Sequence, residues 1–286
     1  MHRNGRVEMA GLSRVFEKIG ERAFWGVDAG IINLEGPISR TSIPDDYASK
    51  NLIFNFPPQA IEALKFLRVN AVSLANNHTA NQGKQGLADT RNLLEEAGIK
   101  SIGGPGDRDI PKVGIFTGQD MNLIVIGVHT LYGPPDISDV IRQYKQDPEN
   151  RILVFPHWGT EYKRTHNVYQ EEMAHAWIDS GADLVIGAHP HVVQDVEVYK
   201  NKPIIYSLGN FVFDQNFSKE TQEGLLIAGE FDSKGLMLFG LPIQAIKYQP
   251  TLMKGAKKQE VLRDLYKPLE KYIEHTPLGE RLYFPL

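Results

Sequence analysis

The segment ADLVIGAHPH, residues 182–191, begins as a run of apolar residues and ends in two histidines separated by a proline. A short apolar run of this kind, bounded by turn residues, predicts a strand that is buried on both faces. Strands of this type belong to sheets that helices cover on both sides. The segment therefore indicates an α/β fold, with polar residues at the carboxyl end of a buried strand.

Further strand patterns lie on both sides of this segment, and helix patterns alternate with them. The strand patterns cover residues 29–36, 70–78, 122–129, 151–159 and 203–213, and the helix patterns cover residues 57–69, 83–98 and 169–181. Residues 224–248 predict antiparallel strands of a second sheet or an edge extension. Residues 259–273 predict a helix that Pro268 interrupts. We expect one domain over residues 1–286, closed by a helix and tail over residues 250–286.

The composition is that of an ordinary globular protein and excludes several functional classes. The 286 residues are 42% hydrophobic and 23% charged, with a net charge of -4. This mild acidity argues against nucleic acid as a partner, because a nucleic-acid binder needs a basic face. Without cysteine, the chain has no disulfide, iron–sulfur cluster or thiolate zinc site. No stretch reaches the roughly 18–20 apolar residues of a membrane span, and no signal core begins the sequence, so the compartment stays open.

Polar residues of one chemical kind follow five of the predicted strands. They are Asn33 and Glu35, then Asn76, Asn77 and His78, then His157, then His189 and His191, and finally Asn210. Ligand sites of open α/β sheets lie outside the carboxyl ends of the strands, where the loops of several strands meet. The sequence therefore predicts a single polar site at one edge of a sheet.

Imidazole and carboxylate groups in one site point to a transition metal ion such as zinc, manganese or iron. Glu35 has the chemistry to bridge two ions, Asn77 offers a neutral oxygen ligand, and His78 is left as a general acid. Each residue alone has a plainer interpretation. His157 is a candidate for a hydrogen-bonded structural histidine, Asn76 and Asn77 for a helix cap, and the histidine pair for a chance occurrence. His129 is interpreted as structural or as lining the site, and His2, His166, His175 and His275 as surface residues.

Five ordered motifs resemble one known family. They are NLEGPIS (residues 33–39), SLANNHTANQGKQGLADT (73–90), HWGTEY (157–162), IGAHPHVVQDVEVY (186–199) and YSLGNFVFD (206–214). Together they resemble the CapA-like poly-γ-glutamate (capsule) biosynthesis family of the calcineurin-like metallophosphoesterases, over about residues 26–250. The resemblance implies a four-layer α/β/β/α sandwich with mixed sheets and a site for two divalent metal ions (Mn, Fe or Zn).

The resemblance also implies a role for each matching position. By analogy, Asn77 and His189 bind the second metal, His191 binds the first, and Glu35 bridges the two ions. His157 matches the isolated histidine of the superfamily pattern, and His78 matches the residue that acts on the leaving group. The remaining candidates line the substrate pocket; these are Asn33, Asn76, Glu161 and Asn210.

The resemblance fails at the start of the chain. Family members open with a strand that carries a Gly-Asp dipeptide, whose aspartate binds the first metal, whereas MHRNGRVEMAG matches only the segment after that strand. A truncated chain, a start codon assigned late and a lost site each account for this. We therefore expect a fold without its first strand, an unpaired apolar sheet edge and an incomplete first metal site.

Three functions from different classes are compatible with these residues. The first is metal-dependent hydrolysis of a phosphate ester or a related bond. The second is a non-catalytic component of capsule synthesis or export that binds an anionic polymer, in contact with membrane synthase subunits of the cell envelope. The third is a binding protein with a structural metal ion. Retention of His78 beside Asn77 favours the first function, and the absence of the Gly-Asp motif favours a non-catalytic one.

Overall fold

The computed structural model describes residues 15–20, 23–40, 52–105, 112–133, 136–246, 248–277 and 279–285. The α-helices of this part are α1 (Ala60–Phe66), α2 (Gly83–Glu96), α3 (Ser138–Lys145), α4 (Val168–Asp179) and α5 (Gly255–Tyr266). The strands are β1 (Ile31–Asn33), β2 (Ala71–Ser73), β3 (Lys100–Ile102), β4 (Val113–Thr117), β5 (Asn122–His129), β6 (Asn150–His157), β7 (Leu184–Ile186), β8 (Val196–Tyr199), β9 (Lys202–Ile205), β10 (Glu223–Phe231), β11 (Gly235–Ile246), β12 (Gln249–Leu252), β13 (Ile273–Thr276) and β14 (Gly279–Pro285). Short 3₁₀ helices cover Glu220–Gln222 and Lys267–Tyr272.

A six-stranded sheet of order β4-β5-β6-β7-β9-β8 forms the centre of the fold. Strands β5, β6, β7 and β9 are parallel, and the edge strands β4 and β8 run antiparallel to their neighbours. The central strands are apolar on both faces, as the sequence predicted, because helices cover one face and a second layer of strands covers the other. Their parallel direction brings their carboxyl ends to one edge.

Alternate residues of each central strand enter two different hydrophobic cores. Ile124, Val154 and Val185 pack against α3 and α4, together with the buried Trp158 and Trp177. The residues next to them along the strands contact the opposite core; these are Val125, Leu153, Phe155, Leu184 and Ile186.

Two further sheets form the second strand layer. Strands β1, β2 and β3 are parallel, and strands β10, β11, β14 and β13 form an antiparallel sheet in which β12 also pairs with β11. Ala71, Ile102, Leu225 and Leu238 of these sheets share the core with the central sheet. Residues of α1 and α2 cover the outer face of the three-stranded sheet. The resulting layers are α/β/β/α, which confirms the predicted fold class.

Strand β1 lies at the edge of its sheet in the part of the chain that the structure describes, with β2 as its pairing partner. An apolar cavity of about 190 Å³ lies beside this strand. Ile31 and Ile32 of β1 line it, and so do Leu225 and Leu226 of β10, which is itself the end strand of its sheet. The expected unpaired apolar edge is therefore found among the described residues. The motif at residues 3–11, expected from the sequence to follow the family's first strand, lies outside them.

The C-terminal prediction is correct for one helix and wrong for the residues after it. Helix α5 begins at Gly255, and a 3₁₀ helix with Pro268 in its first turn follows from Lys267. Instead of a tail, β13 and β14 then form a hairpin, and β14 pairs with β11 of the antiparallel sheet. The interruption predicted at Pro268 is confirmed, because Pro268 lacks the amide hydrogen that a continuous α-helix needs.

None of the described helices is long and apolar enough to cross a lipid bilayer.

A hydrogen bond below the polar edge of the sheet generates a stability prediction. The Trp158 indole Nε1–H donates to the backbone oxygen of Tyr206 at 2.9 Å, and the Trp158 ring stacks on Trp177. Trp158→Phe removes the donor and leaves a buried carbonyl without it. We expect this change to lower the free energy of unfolding by about 1–3 kcal/mol more than Trp177→Phe does. Urea unfolding of both variants measures the difference, and equal losses would contradict the prediction.

Candidate metal centre

The predicted site residues converge because of the sheet topology. His129 and His157 end the neighbouring parallel strands β5 and β6 and stand in register. His189 follows β7, and an isolated bridge joins its neighbour Ala188 to His157. Glu35 follows β1, in the layer opposite, and its carboxylate reaches the histidines from there. The site therefore lies between the two strand layers.

Glu35 is a buried carboxylate in this site. Its Oε2 accepts a hydrogen bond from Asn33 Nδ2 at 3.2 Å, but its buried Oε1 has no hydrogen-bond partner. That oxygen lies 3.6 Å from His191 Nε2 and 4.0 Å from His157 Nε2. Burial raises the pKa of the Glu35 carboxyl, and the charge of His191 opposes this effect. A buried carboxylate with a bare oxygen among imidazole nitrogens has the geometry of a metal ligand.

His157 is held in the neutral form that binds metal. Its Nε2 lies 2.9 Å from Asn77 Oδ1, and its buried Nδ1 has no hydrogen-bond partner. Burial lowers the pKa of His157 well below its ordinary value, and the charges of His189 and His129 add to this effect. A neutral imidazole keeps a lone pair for a metal ion at neutral pH.

The turn with His189 and His191 has an unusual backbone. His189 has φ 101° and His191 has φ 60°, values that side-chain-bearing residues rarely adopt. Neighbouring backbone holds the turn, since Tyr162 N donates to Pro190 O at 2.8 Å. The buried His189 Nδ1 has no hydrogen-bond partner, and burial lowers the pKa of His189 to about 3. Strained backbone of this kind concentrates at functional sites.

Asn210 orients the His191 ring. Its Oδ1 lies 2.9 Å from His191 Nδ1, which leaves Nε2 facing Glu35. The Asn210 Nδ2 donates to the backbone oxygen of Thr221 at 2.9 Å and to Gln215 Oε1 at 3.2 Å. The chain of contacts ends where Gln215 Nε2 donates to the Tyr162 hydroxyl at 3.0 Å.

Asn76 organises the loop that carries His78. Its Nδ2 donates to Asn33 Oδ1 and to the backbone oxygen of Leu34, and its Oδ1 accepts from the backbone N–H of His78. The His78 ring contacts Asn81 Oδ1 through Nδ1 at 3.0 Å, so Nε2 is the nitrogen left for chemistry. Burial lowers the pKa of His78.

The donor set of the site fits a divalent transition metal ion. One set of ligand atoms belongs to Glu35, His157 and His189, and another to Glu161, His189 and His191; within each set, all atoms lie within 4.8 Å of one another. Neutral imidazole and carboxylate are ligands for zinc, manganese and iron. The buried atoms without hydrogen-bond partners are the ones a cation would satisfy.

The structure brings the candidate ligands together and shows what the predicted pocket residues contact. Asn76 and Asn210 are buried with their amide groups bonded to the protein, and Asn210, like Asn33, also lines the cavity beside Glu35. Glu161, which the sequence interpretation placed in the pocket, has a carboxylate oxygen within 4.8 Å of a ring nitrogen of His189 and of His191. His129 is close to the site, with its ring 5.8 Å from that of His157 and its buried Nε2 without a partner. Its position at the carboxyl end of β5 is the sequence feature that pointed to a place near the site.

The chain belongs to a known family of capsule proteins. The family model described as bacterial capsule synthesis protein PGA_cap matches residues 5–215. The capsule biosynthesis protein CapA of Bacillus anthracis is 30% identical over 245 residues, which cover 78% of this chain and 60% of that protein. The PGA biosynthesis protein CapA of Bacillus subtilis is 28% identical and covers 91% of this chain and 73% of its own length. The match to the Bacillus anthracis protein thus spans three fifths of the length of that protein.

Solved structures with a similar arrangement are distant. A phosphatase from Mycoplasma pneumoniae is 13% identical with a TM-score of 0.46, and each chain is covered to 87%. A hypothetical protein from Thermus thermophilus is 15% identical with a TM-score of 0.44, covering 86% of this chain and 89% of its own.

The bare carboxylate oxygen generates the first prediction for this site. Glu35→Gln keeps the side-chain shape but removes the negative charge that faces His157 and His191. We expect metal affinity, measured by titration against a competing chelator, to fall at least tenfold. The exposed Glu95→Gln on α2 serves as the matched control. Equal affinity of the two variants would contradict a ligand role for Glu35.

The contact between Asn210 and His191 generates the second prediction. Asn210→Ala leaves the His191 ring without its orienting acceptor, and the loss of such a contact typically lowers metal affinity 10–100-fold. The exposed Asn216→Ala on the same loop is expected to leave the affinity unchanged. The same chelator titration measures both variants. If Asn210→Ala binds metal as tightly as the control, the ring is held by other contacts.

Proposed function

We propose that this protein is a metal-dependent hydrolase of capsule biosynthesis that cleaves a phosphate ester or a related bond. The observation that carries the proposal is a set of buried polar atoms without hydrogen-bond partners at one point of the fold. They are Glu35 Oε1, His129 Nε2, His157 Nδ1 and His189 Nδ1. Buried polar groups are nearly always paired, so this cluster supports a bound cation.

The residues that would hold two divalent ions are those at the ends of the strands. Glu35, Asn77, His157 and His189 are proposed for one ion, and Glu161, His191 and a shared Glu35 for the other. In this proposal the ion at His191, the first metal of the family pattern, has the smaller set of protein ligands. When bound, such ions supply Lewis-acid polarisation of a phosphoryl or carbonyl oxygen.

His78 is proposed as the general acid of the reaction. The contact of Nδ1 with Asn81 Oδ1 fixes the ring and uses the Nδ1 proton, so the imidazolium form of His78 would donate its Nε2 proton to the leaving-group oxygen. Burial lowers the pKa of His78, which makes its protonated form a stronger acid than an exposed histidine. Phe54 supports the ring face at 4.1 Å between centroids and thereby limits its rotation.

The proposed substrate is a phosphate-containing molecule or an anionic polymer. This follows from the family description and from relatives such as the probable polyglutamine synthesis accessory proteins of Mycobacterium tuberculosis, which are 30% identical over 215 residues. A location at the bacterial cell envelope and contact with membrane synthase subunits are proposed on the same basis. Polymer binding without turnover is the alternative outcome of the experiment below.

The decisive experiment compares His78→Ala with the exposed His275→Ala. We expect His78→Ala to lower turnover of bis(p-nitrophenyl) phosphate by about 10²–10⁴-fold while metal content, measured by mass spectrometry, stays the same. A chelator should abolish turnover of the unmodified protein, and added manganese or zinc should restore it.

Two results would contradict the proposal. Full turnover by His78→Ala would remove the acid role from that residue. A metal-loaded protein without turnover of phosphodiester, phosphomonoester or γ-linked polymer would favour the polymer-binding alternative.

A further inference from the structure

A second cluster of metal-binding side chains lies between α4 and the edge strand β8. Glu171 and His175 are four residues apart on α4, which places them on one face of the helix. Glu197 approaches them from β8. One ligand atom from each of these three residues lies within 4.8 Å of the other two. No member of this cluster belongs to the centre around Glu35.

Protein contacts hold two of the three side chains in position. His175 Nε2 lies 2.8 Å from Glu197 Oε1, and the His175 ring stacks on Tyr199 with centroids 3.8 Å apart. The Tyr206 hydroxyl donates to Glu197 Oε2 at 2.6 Å. The His175 imidazole and the Glu197 carboxylate are therefore held facing each other. Because these side chains are already ordered, they would lose little conformational entropy on binding an ion.

A second histidine stands next to the cluster in an arrangement typical of metal ligands. His166 Nδ1 lies 3.0 Å from Asp195 Oδ2, and its ring stacks on Tyr206 with centroids 3.9 Å apart. A carboxylate on one ring nitrogen directs the other towards a ligand position. That nitrogen, Nε2, lies 3.7 Å from Glu171 Oε2.

This arrangement differs from the sequence interpretation, which placed His166 and His175 on the surface. Both are half-buried, and each contacts a carboxylate and an aromatic ring. His275, by contrast, is 80% exposed as predicted. His2 lies outside the described residues.

We propose that Glu171, His175 and Glu197 bind a divalent transition metal ion such as Zn²⁺. One imidazole and two carboxylates form a donor set that such ions accept. The two carboxylates bring a charge of about −2, which a divalent cation neutralises. This ion would connect α4 to the edge of the central sheet, independently of the chemistry at Glu35.

The test measures Zn²⁺ in the full chain with both ion positions of the first centre disabled by Glu35→Ala, His157→Ala and His191→Ala, after circular dichroism has established that the variant is folded. We expect one zinc ion per chain to remain. Adding His175→Gln should weaken its affinity at least tenfold, because the ring nitrogen is lost. Adding His275→Gln, at an exposed histidine that also faces a carboxylate, Glu280 at 3.5 Å, should change nothing.

A second measurement applies even where the disabled chain does not fold. Glu197→Gln in the otherwise unmodified protein should lower the total zinc content by one ion per chain and leave turnover at the first centre in place. The proposal is overturned if Glu197→Gln retains all zinc. It is also overturned if the folded, disabled chain binds no zinc, or binds it equally well with His175→Gln and His275→Gln.

Discussion

A buried carboxylate that faces neutral imidazoles is the interaction on which the rest of this site depends. Glu35 Oε1 has no hydrogen-bond partner, and the nearest groups are ring nitrogens of His191 and His157. Leaving a charge or a polar atom buried without a partner costs several kcal/mol, so such a group either changes its protonation state or acquires a cation. Because the pKa values of His157 and His189 are lowered, their imidazoles stay neutral at neutral pH. They therefore do not supply the positive charge that Glu35 lacks, but they can bind a metal ion that does.

The fold provides this arrangement through two layers of strands. The central sheet delivers His129, His157 and His189 from the ends of parallel strands, and the opposite layer delivers Glu35 and Asn77. Neither layer alone forms the donor set, because imidazoles come from one side and the carboxylate from the other. The strained backbone at His189 and His191 is tolerated since neighbouring backbone bonds hold the turn.

Much of the fold was predictable from the sequence because its central strands are apolar on both faces. That pattern arises only when a sheet is covered on both sides, and it located the principal strands and most of the helices. The C-terminal hairpin was not predictable in the same way. Residues 273–285 become strands because β11 offers a pairing edge, and apolar residues at helical spacing in α5 obscured where the helix ends.

The amino-acid sequence by itself determined which chemical groups follow each strand, because motif order and residue type are properties of the chain. It thereby indicated the ligand set, the family and the layered α/β fold. Only the tertiary structure decided how those groups face one another. Asn210 contacts His191, Glu161 approaches His189 and His191, and His166 and His175 meet carboxylates from distant positions in the chain. Side-chain orientation and burial depend on contacts between residues remote in sequence, which no local pattern records.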